Sequence, residues 1–446
     1  MRRYACFRLI VAAAMSAAWL STQSRAEDGP DRAKRRTPVV EAYERARDSV
    51  VNITAVGTIE VQQWGMNLFG EVFPVPTTRN ERSVGSGFII HEDGYIATNA
   101  HVISTGAQLG VTLADGTDYE AKVIGRDTTR DLAVIKVDPK TPLKAIRLGR
   151  SDDLMIGEQT IAVGNPVGLH NTVTVGVVSA LHRELEVGGR VVYRDLIQTD
   201  ASINPGNSGG PLLNILGELI GINTAIRGDA QNIGFAIPVG QLREILPEML
   251  DCEKLNKVVS GFHITGTDPP TVSEVRDGGP GARSGVRVGD VVASVNGRSL
   301  SRAVDFLVAM LERRPKTEAA FTLVRDGKQV ETRVELEAAP KPDGKRLANE
   351  RLGMTVDDAR EDVARRFLLR GAGGVIVLGV EPRSPADRAG LRPGDLLVAM
   401  GTYSLNDVDM MGQLLAQVRQ GDAIDVRFRR ERRDMLYETE VSLYAR

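Results

Sequence analysis

The chain has 446 residues, which is too long for one ordinary domain and predicts two to four domains. Its hydrophobic fraction of 42% and charged fraction of 26% are typical of a soluble globular protein. A formal net charge of -2 excludes a global basic field for nucleic acid or acidic lipid. The 46 glycines favour turn-rich β structure over helical bundles.

The N-terminus has the pattern of a secretory signal peptide. Arg2 and Arg3 precede the apolar run Leu9–Leu20, and Ala26 ends a small-x-small cleavage site. We therefore expect a cleaved signal over residues 1–26, a flexible leader over 27–38, and export from the cytoplasm. An uncleaved membrane tether is the alternative. The mature chain would keep Cys252 alone, so no internal disulfide is expected.

Short β-type runs separated by glycine-bearing turns follow, and their spacing predicts a β-sandwich or barrel. The segment 57–83 contains Gly70, Pro74 and Pro76, and is predicted to be a large surface loop. An amphipathic helix from Val239 to Leu250 closes this domain. The clearest strands are Val50–Val56, Gly87–Ile90, Tyr95–Asn99, Ala133–Val137, Thr172–Ala180, Leu219–Asn223 and Gly234–Ile237.

The C-terminal part contains an internal repeat. The segment Pro280–Asp290 matches Pro385–Asp395 at a fixed offset of 105 residues, with a Gly-Asp pair closing both. Two copies of one module are the economical interpretation, since two are too few for a solenoid.

The segment Asn204-Pro-Gly-Asn-Ser-Gly-Gly-Pro211 indicates a nucleophile. Glycines around Ser208 allow a tight turn in which the amides of Gly206 and Ser208, with Asn207 between them, form an oxyanion hole. A serine hydroxyl also needs a neighbouring base to take its proton. By itself the segment is equally compatible with a plain turn.

Two further segments favour catalysis. His101 follows a strand in Thr98-Asn-Ala-His-Val, and Asp131 begins one in Asp-Leu-Ala-Val-Ile-Lys. The chain order His101, Asp131, Ser208 is that of the chymotrypsin-type triad. A lone histidine or strand-opening aspartate is usually structural, but the three in this order together predict a serine peptidase.

These segments resemble the HtrA/DegP family of envelope serine proteases. The resemblance runs from about Val39 to the C-terminus, and it is carried by Ser83-Val-Gly-Ser-Gly-Phe-Ile, Thr98-Asn-Ala-His-Val, Asp131-Leu-Ala-Val-Ile-Lys, Gln198–Pro211 and Asn232–Pro238. It implies a multidomain protein: an all-β chymotrypsin-like double β-barrel at 39–252, followed by two small α+β PDZ domains at 256–338 and 351–446, joined by a linker at 339–350.

The resemblance also implies a function. It implies location in the periplasm and an oligomer built from trimers that degrades misfolded proteins without ATP. His101 would be the general base, Asp131 its orienting carboxylate and Ser208 the nucleophile.

Substrate selection has two predicted parts. Ser202 and Ile203 stand where the base of the P1 side-chain pocket is expected, and neither is an acid that could bind Lys or Arg. The resemblance places Ile226 nearby. We therefore expect small aliphatic P1 residues. The resemblance also implies that an extended substrate adds as a strand along Asn232, Ile233, Gly234 and Phe235.

PDZ modules capture a peptide's terminal carboxylate on backbone amides of a loop ahead of a strand. Leu352-Gly353-Met354 fits that loop in the second module, and Phe262-His263-Ile264 is its counterpart in the first. Because His263 replaces the usual glycine, oligomer contacts or allostery are the alternative role for the first module. The alternative for both modules is that they bind no peptide and act as rigid spacers.

Parts of the sequence are also compatible with two functions other than a trypsin-like protease. An α/β-hydrolase also has Gly-x-Ser-x-Gly, but it needs its histidine after the serine, where only His263 stands, inside a repeat module. A latent or non-catalytic peptide-binding chaperone is the main alternative. Because no metal-protease, P-loop or paired-cysteine motif is present, no cofactor or metal is expected.

Overall fold

The computed structural model describes residues 30–66, 72–104, 108–165, 171–187, 190–226, 232–256, 258–339, 341–359, 361, 373–401, 403–418, 420–432 and 435–446. The predicted signal peptide lies outside these residues. The chain divides into two compact units, residues 1–337 and 338–446.

Two helices precede the first strand. They are α1 (Pro30–Lys34), which lies within the predicted flexible leader, and α2 (Pro38–Ala46). The Thr37 hydroxyl accepts a hydrogen bond from the Val40 amide and caps α2, while Pro38 supplies the preset φ of a first helical residue. The buried face of α2 presents Ala42 and Ala46 to the core.

The first barrel is closed. Its strands lie in the order β1-β2-β3-β6-β5-β4, and β4 also pairs with β1. Alternate residues Val51, Ile53 and Ala55 of β1 point into the barrel core, while Val50 and Asn52 between them are buried on the other face. The strands are β1 (Val50–Met66), β2 (Val72–His91), β3 (Tyr95–Thr98), β4 (Gln108–Thr112), β5 (Asp118–Asp127) and β6 (Leu132–Val137).

The second barrel has the order β10-β11-β12-β9-β8-β7 and is closed by the pair Leu212–Ala162. Helix α3 (Val239–Met249) packs beside it, which confirms the predicted amphipathic helix. The strands are β7 (Gln159–Gly164), β8 (Thr172–Val187), β9 (Arg190–Thr199), β10 (Pro211–Leu213), β11 (Leu219–Ile226) and β12 (Gly234–Pro238).

The prediction of a surface loop at 57–83 is wrong. Strands β1 and β2 pair without a break from Val50–Phe88 to Met66–Val72, so this segment is the far end of a long hairpin. Pro74 and Pro76 are turn-prone in sequence, but both lie in β2 opposite Trp64 and Gln62, and proline is tolerated in a strand where its missing amide needs no partner. Gly70, the third residue on which that prediction rested, lies outside the described residues.

The first repeat module belongs to the first unit. It contains a sheet of order β17-β16-β18-β19 and two short strand pairs, β13-β20 and β14-β15. Its elements are α4 (Cys252–Asn256), β13 (Val258–Val259), β14 (Phe262–Ile264), β15 (Val272–Val275), α5 (Pro280–Arg283), β16 (Val291–Val295), β17 (Arg298–Ser299), α6 (Ala303–Leu311), β18 (Glu318–Arg325), β19 (Lys328–Glu335) and β20 (Glu337–Ala338).

The second unit has its own core and repeats this plan. Its sheet has the order β21-β22-β23-β25-β26, with β24 paired to β23. Much of the predicted linker is helical here, since α7 begins at Gly344. The elements are α7 (Gly344–Leu352), β21 (Met354–Asp358), β22 (Val375–Val380), α8 (Pro385–Arg388), β23 (Leu396–Met400), β24 (Tyr403–Ser404), α9 (Val408–Leu415), β25 (Ala423–Arg432) and β26 (Met435–Tyr444).

The multidomain fold predicted from the sequence is therefore confirmed: two closed six-stranded barrels, then two small α+β modules. Buried side chains such as Phe88, Leu132, Ile161 and Leu213 join the barrels in one core. The sides of the barrels that meet around this core carry the candidate site.

Candidate active site

His101 and Asp131 come from the first barrel. His101 begins a 3-10 turn (His101–Ile103) directly after β3, and Asp131 stands immediately before β6. Asp131 has a left-handed backbone (φ 55°), a conformation that costs energy for a residue with a Cβ. Its carbonyl is held by the Ala100 amide and the Asn99 side chain, which fixes the strained turn beside His101.

The two side chains form the pair expected of a base and its orienting acid. His101 Nδ1 lies 2.7 Å from Asp131 Oδ2, and the His101 amide donates to Asp131 Oδ1 at 2.9 Å. Because a carboxylate can only accept, Nδ1 carries the proton and Nε2 is left as the acceptor. Asp131 is 5% exposed, whereas the His101 ring opens to solvent.

Ser208 comes from the second barrel, in the tight turn between β9 and β10. Gly206 has φ 102°, a region open to glycine but not to other residues. The amides of Gly206 and Ser208 have no acceptor among the described residues, so both are available to an oxyanion. In contrast, the Asn207 amide donates to Asn204 O at 2.9 Å, so the prediction that Asn207 contributes to the oxyanion hole is not supported.

The Ser208 hydroxyl does not donate to His101 in this conformation. It donates instead to the carbonyl of Thr224, at 3.1 Å. Catalytic hydrogen bonds are often long or misaligned in a ligand-free site and tighten when substrate binds. His101 and Ser208 thus share one cleft, with Asp131 buried behind His101, but only the His–Asp half of the triad is closed.

Sequence reasoning missed Ser86, although it lies in one of the quoted motifs. Its hydroxyl donates to Gly206 O at 2.5 Å and accepts from the Asn165 amide at 2.7 Å, while its own amide donates to Ser208 O at 2.8 Å. Ser86 belongs to β2 of the first barrel and is fully buried. It therefore fixes the oxyanion turn of the second barrel against the first.

Thr224 and Tyr193 were also missed. The Thr224 hydroxyl donates to Asp131 Oδ2 at 3.0 Å, and the Tyr193 hydroxyl donates to the same oxygen at 3.1 Å. These two residues lie 93 and 62 positions from Asp131 along the chain. No local pattern reports such contacts, so only the fold could reveal them.

The cleft has a volume of about 220 Å³. Ile203 lines it beside His101 and Ser208. Among the described residues that line the cleft there is no acid to receive a basic side chain. Ile226 ends β11, but its side chain is outside the described part of the chain.

The structure contradicts the predicted substrate-pairing strand. Strand β12, which contains Gly234 and Phe235, pairs with β11 on one side and β9 on the other, and thus has no free edge there. Asn232 and Ile233 precede this strand. Strand β11 has the free edge instead: its pairing with β10 begins only at Ile222, and no described strand pairs with Thr224–Ile226 on that side.

The predicted carboxylate loop of the first module lies in a filled groove. Phe262 and Ile264 are buried and His263 is exposed, and only about 30 Å³ remains between β14 and α6. The preceding segment, including Leu250 and Cys252, lines the same space. Burial raises the pKa of the Cys252 thiol to about 12.

In the second module the predicted loop ends a helix. Leu352 is the last residue of α7, Gly353 is its left-handed cap, and Met354 begins β21. The Gly353 amide donates to Asn349 O at 2.9 Å. This amide is therefore engaged by the helix rather than free for a carboxylate.

Within the described ranges, no group of three or more His, Cys, Asp or Glu side chains could hold a metal ion. No helix among these residues is long and apolar enough to cross a bilayer.

Two six-stranded barrels, with a histidine, an aspartate and a serine meeting between them, define a trypsin-like serine peptidase. Comparison with known families agrees. Residues 85–222 match the trypsin-like peptidase domain, and residues 255–336 and 350–441 match the PDZ domain.

Relatives extend the match over most of the chain. The probable periplasmic DegP-like serine endoprotease of Halomonas elongata is 35% identical over 433 residues, covering 87% of this chain and 90% of the relative. The protein of the same description from Chlamydia trachomatis serovar D is 35% identical over 390 residues, covering 80% and 78%. Among solved structures, the HtrA-type protease AlgW with decapeptide is 32% identical over 68% of this chain and 99% of that chain, with a TM-score of 0.40. The chain belongs to the DegP-like family of periplasmic serine endoproteases.

Proposed function

We propose that this endopeptidase cuts unfolded envelope proteins through an acyl-enzyme, with Ser208 as nucleophile, His101 as general base and Asp131 as its orienting acid. The observation that carries the proposal is the His101–Asp131 pair in the same cleft as Ser208 and two free amides. His101 Nε2 takes the Ser208 proton as Oγ attacks the scissile carbonyl, and returns it to the leaving amine. The amides of Gly206 and Ser208 receive the oxyanion, each worth about 3 kcal/mol.

The substrate strand is proposed to add along the free edge of β11 at Thr224–Ile226. Main-chain pairing requires an extended segment, so unfolded chains are favoured over native ones. Ile203 and the absence of an acid among the described lining residues support a preference for small aliphatic P1 residues.

The remaining proposals concern the whole protein. A cleaved signal at residues 1–26 would deliver the chain to the periplasm, and the family resemblance supports homotrimers or multiples of trimers. No step above consumes ATP. The PDZ modules are proposed to bind peptide segments or C-termini and thereby tether substrate or regulate the protease.

Hydrolysis of unfolded casein by the purified chain, beside Ser208→Ala, tests the catalytic proposal. In serine proteases, losing the nucleophile costs about a million-fold in turnover. We expect cleavage by the wild type only. Equal cleavage by both proteins would reject Ser208 as the nucleophile.

A latent peptide-binding chaperone is the second candidate. It is favoured by one observation, the bond from the Ser208 hydroxyl to Thr224 O instead of His101. If the wild type fails to cut casein even with C-terminal peptides added, yet suppresses casein aggregation, the chaperone is the better description.

A further inference from the structure

One oxygen of Asp131 is unusually crowded. Oδ2 contacts His101 Nδ1 at 2.7 Å, the Thr224 hydroxyl at 3.0 Å and the Tyr193 hydroxyl at 3.1 Å. The other oxygen faces the His101 amide. Each donor restricts the rotation of the carboxylate about its Cβ–Cγ bond, so the set fixes the plane that His101 meets.

The Tyr193 contact crosses between the barrels. Tyr193 lies in β9 of the second barrel, the barrel that also carries Ser208, whereas Asp131 and His101 belong to the first. A triad split between two barrels functions only if the barrels keep one relative position. The bond from Tyr193 to Asp131 joins the acid of one barrel directly to the wall of the other.

Tyr193 remains a donor over the working pH range. Burial, with the neighbouring charge of Asp131, raises the pKa of Tyr193 to about 12. The hydroxyl is therefore protonated at neutral pH, and Asp131 provides an anionic acceptor. Hydrogen bonds to a charged acceptor are roughly twice as strong as neutral ones.

We propose that Tyr193 is a positioning residue of the protease: its hydroxyl holds the Asp131 carboxylate in the orientation that aligns His101 with Ser208. This inference rests on the proposed triad. As Ser208 transfers its proton to Nε2, the imidazolium needs the carboxylate in line with Nδ1. Without the Tyr193 hydroxyl the carboxylate can rotate, so the transition state loses stabilisation while substrate binding does not.

The test is Tyr193→Phe, which removes only the hydroxyl. We expect kcat on an aliphatic-P1 peptide to fall about ten-fold, equivalent to one charge-assisted hydrogen bond, with KM within two-fold of wild type. A fluorophosphonate probe gives a second readout, because Ser208 Oγ bonds to phosphorus, fluoride leaves and His101 takes the proton. Its labelling rate should fall by a similar factor while the labelled fraction reaches the wild-type value.

The matched control is Tyr95→Phe. Tyr95 is a buried tyrosine whose pKa is likewise raised to about 12 by burial, but its ring packs on His91 and Lys136, away from the triad. Its kcat and labelling rate should stay within two-fold of wild type.

The outcomes are distinguishable. Wild-type rates in Tyr193→Phe, or an equal loss in both variants, would overturn the role of Tyr193. A reduced labelled fraction at an unchanged rate would also overturn it, since the rate reports only on folded sites. If the wild type itself is not labelled, or Ser208→Ala is, the proposed triad fails and this inference fails with it.

Discussion

At the scale of single residues, the sequence repeat is matched by a repeated buried ion pair. Arg325 donates to both oxygens of Asp290 at 2.7 Å and to Gly285 O. At the repeat offset of 105 residues, Arg430 makes the same contacts with Asp395 and Gly390 O. Both carboxylates are 1% exposed. The Gly-Asp ending common to both copies therefore has a structural role: it places a carboxylate where one arginine can close the module.

Breaking this pair should destabilise the module. Burial alone would raise the pKa of Asp290, but the hydrogen bonds from Arg325 and from the Arg287 amide outweigh it and hold the pKa below its usual value. Arg325→Met would leave the buried Asp290 carboxylate without its partner. Losing one partner of a buried pair costs about 3 kcal/mol in the free energy of unfolding.

Urea unfolding of the first repeat module measures that loss. Arg333→Met is the control, since the Arg333 side chain is 77% exposed and reaches Glu318 only at 3.9 Å. We expect a change below about 0.5 kcal/mol there. An equal loss of unfolding free energy in both variants would show that the buried Arg325–Asp290 pair stabilises the module no more than an exposed ion pair does.

Sequence reasoning was strongest for residues whose role shows in the adjacent chain. His101, Asp131 and Ser208 each stand in a distinctive segment. The structure places His101 and Ser208 in one cleft, with Asp131 hydrogen-bonded to His101 behind it. The sequence could not predict the direction of the Ser208 hydroxyl or the contacts of Tyr193. Both depend on strands that only barrel closure brings together.

At the scale of elements, strand existence was easier to predict than strand pairing. Each predicted run overlaps an observed strand, and only Tyr95–Asn99 extends past its strand, by one residue, because alternating or β-branched residues mark strand-forming segments. Pairing depends on partners far along the chain. For that reason β12 was expected to have an open edge, whereas barrel closure places β9 against it.

Helix α7 occupies the groove where a peptide would add to the second repeat module. Lys345 of α7 pairs with Asp357 of β21 at 2.8 Å, and a Cβ on Gly344 would collide with the Val408 carbonyl of α9. Leu347 is buried in the same cluster as residues of both elements. Among the described strands β21 pairs with β22 alone, so α7 covers the edge that PDZ domains offer to a ligand.

We therefore expect peptide binding at β21 to require displacement of α7. Hydrogen–deuterium exchange of the Ser208→Ala chain, with a peptide ending in a free carboxylate and an apolar residue, measures this. Amides of α7 should exchange faster and those of β21 more slowly when the peptide is present, and an amidated peptide should change neither. Protection of β21 with α7 unchanged would contradict the displacement.

At the scale of the whole molecule, the first repeat module is fastened to the first barrel by arginines. Arg302 donates to Ile90 O at 3.1 Å, and Arg298 pairs with Glu92 at 2.9 Å. Both contacts are made to the end of β2 and the turn that follows it. Strand β3 comes next, and His101 stands three residues after its last residue. The module thus contacts the same short stretch of chain that positions the catalytic base.

A buried histidine lies in this contact. His91 is 1% exposed, and its Nδ1 accepts from the Asp93 amide at 3.2 Å while Nε2 lies 3.7 Å from Asp305. Burial lowers the pKa of His91 below its ordinary value of about 6.5. The charged groups that face it are Asp93 and Asp305, which oppose the shift, and Arg302 and Arg298, which add to it.

Acidification should therefore loosen this contact. His91 is neutral in the folded chain but protonates below about pH 6.5 when unfolded, so the unfolded state binds more protons and stability falls as the pH drops through that value. His91→Gln keeps an acceptor for the Asp93 amide but cannot titrate. Thermal unfolding between pH 7.5 and pH 5 should show the wild-type Tm falling further than that of the variant, the gap opening near pH 6.5. Parallel curves would mean that carboxylates elsewhere carry the acid sensitivity, whereas a widening gap would make His91 the group through which pH reaches the strand that holds His101.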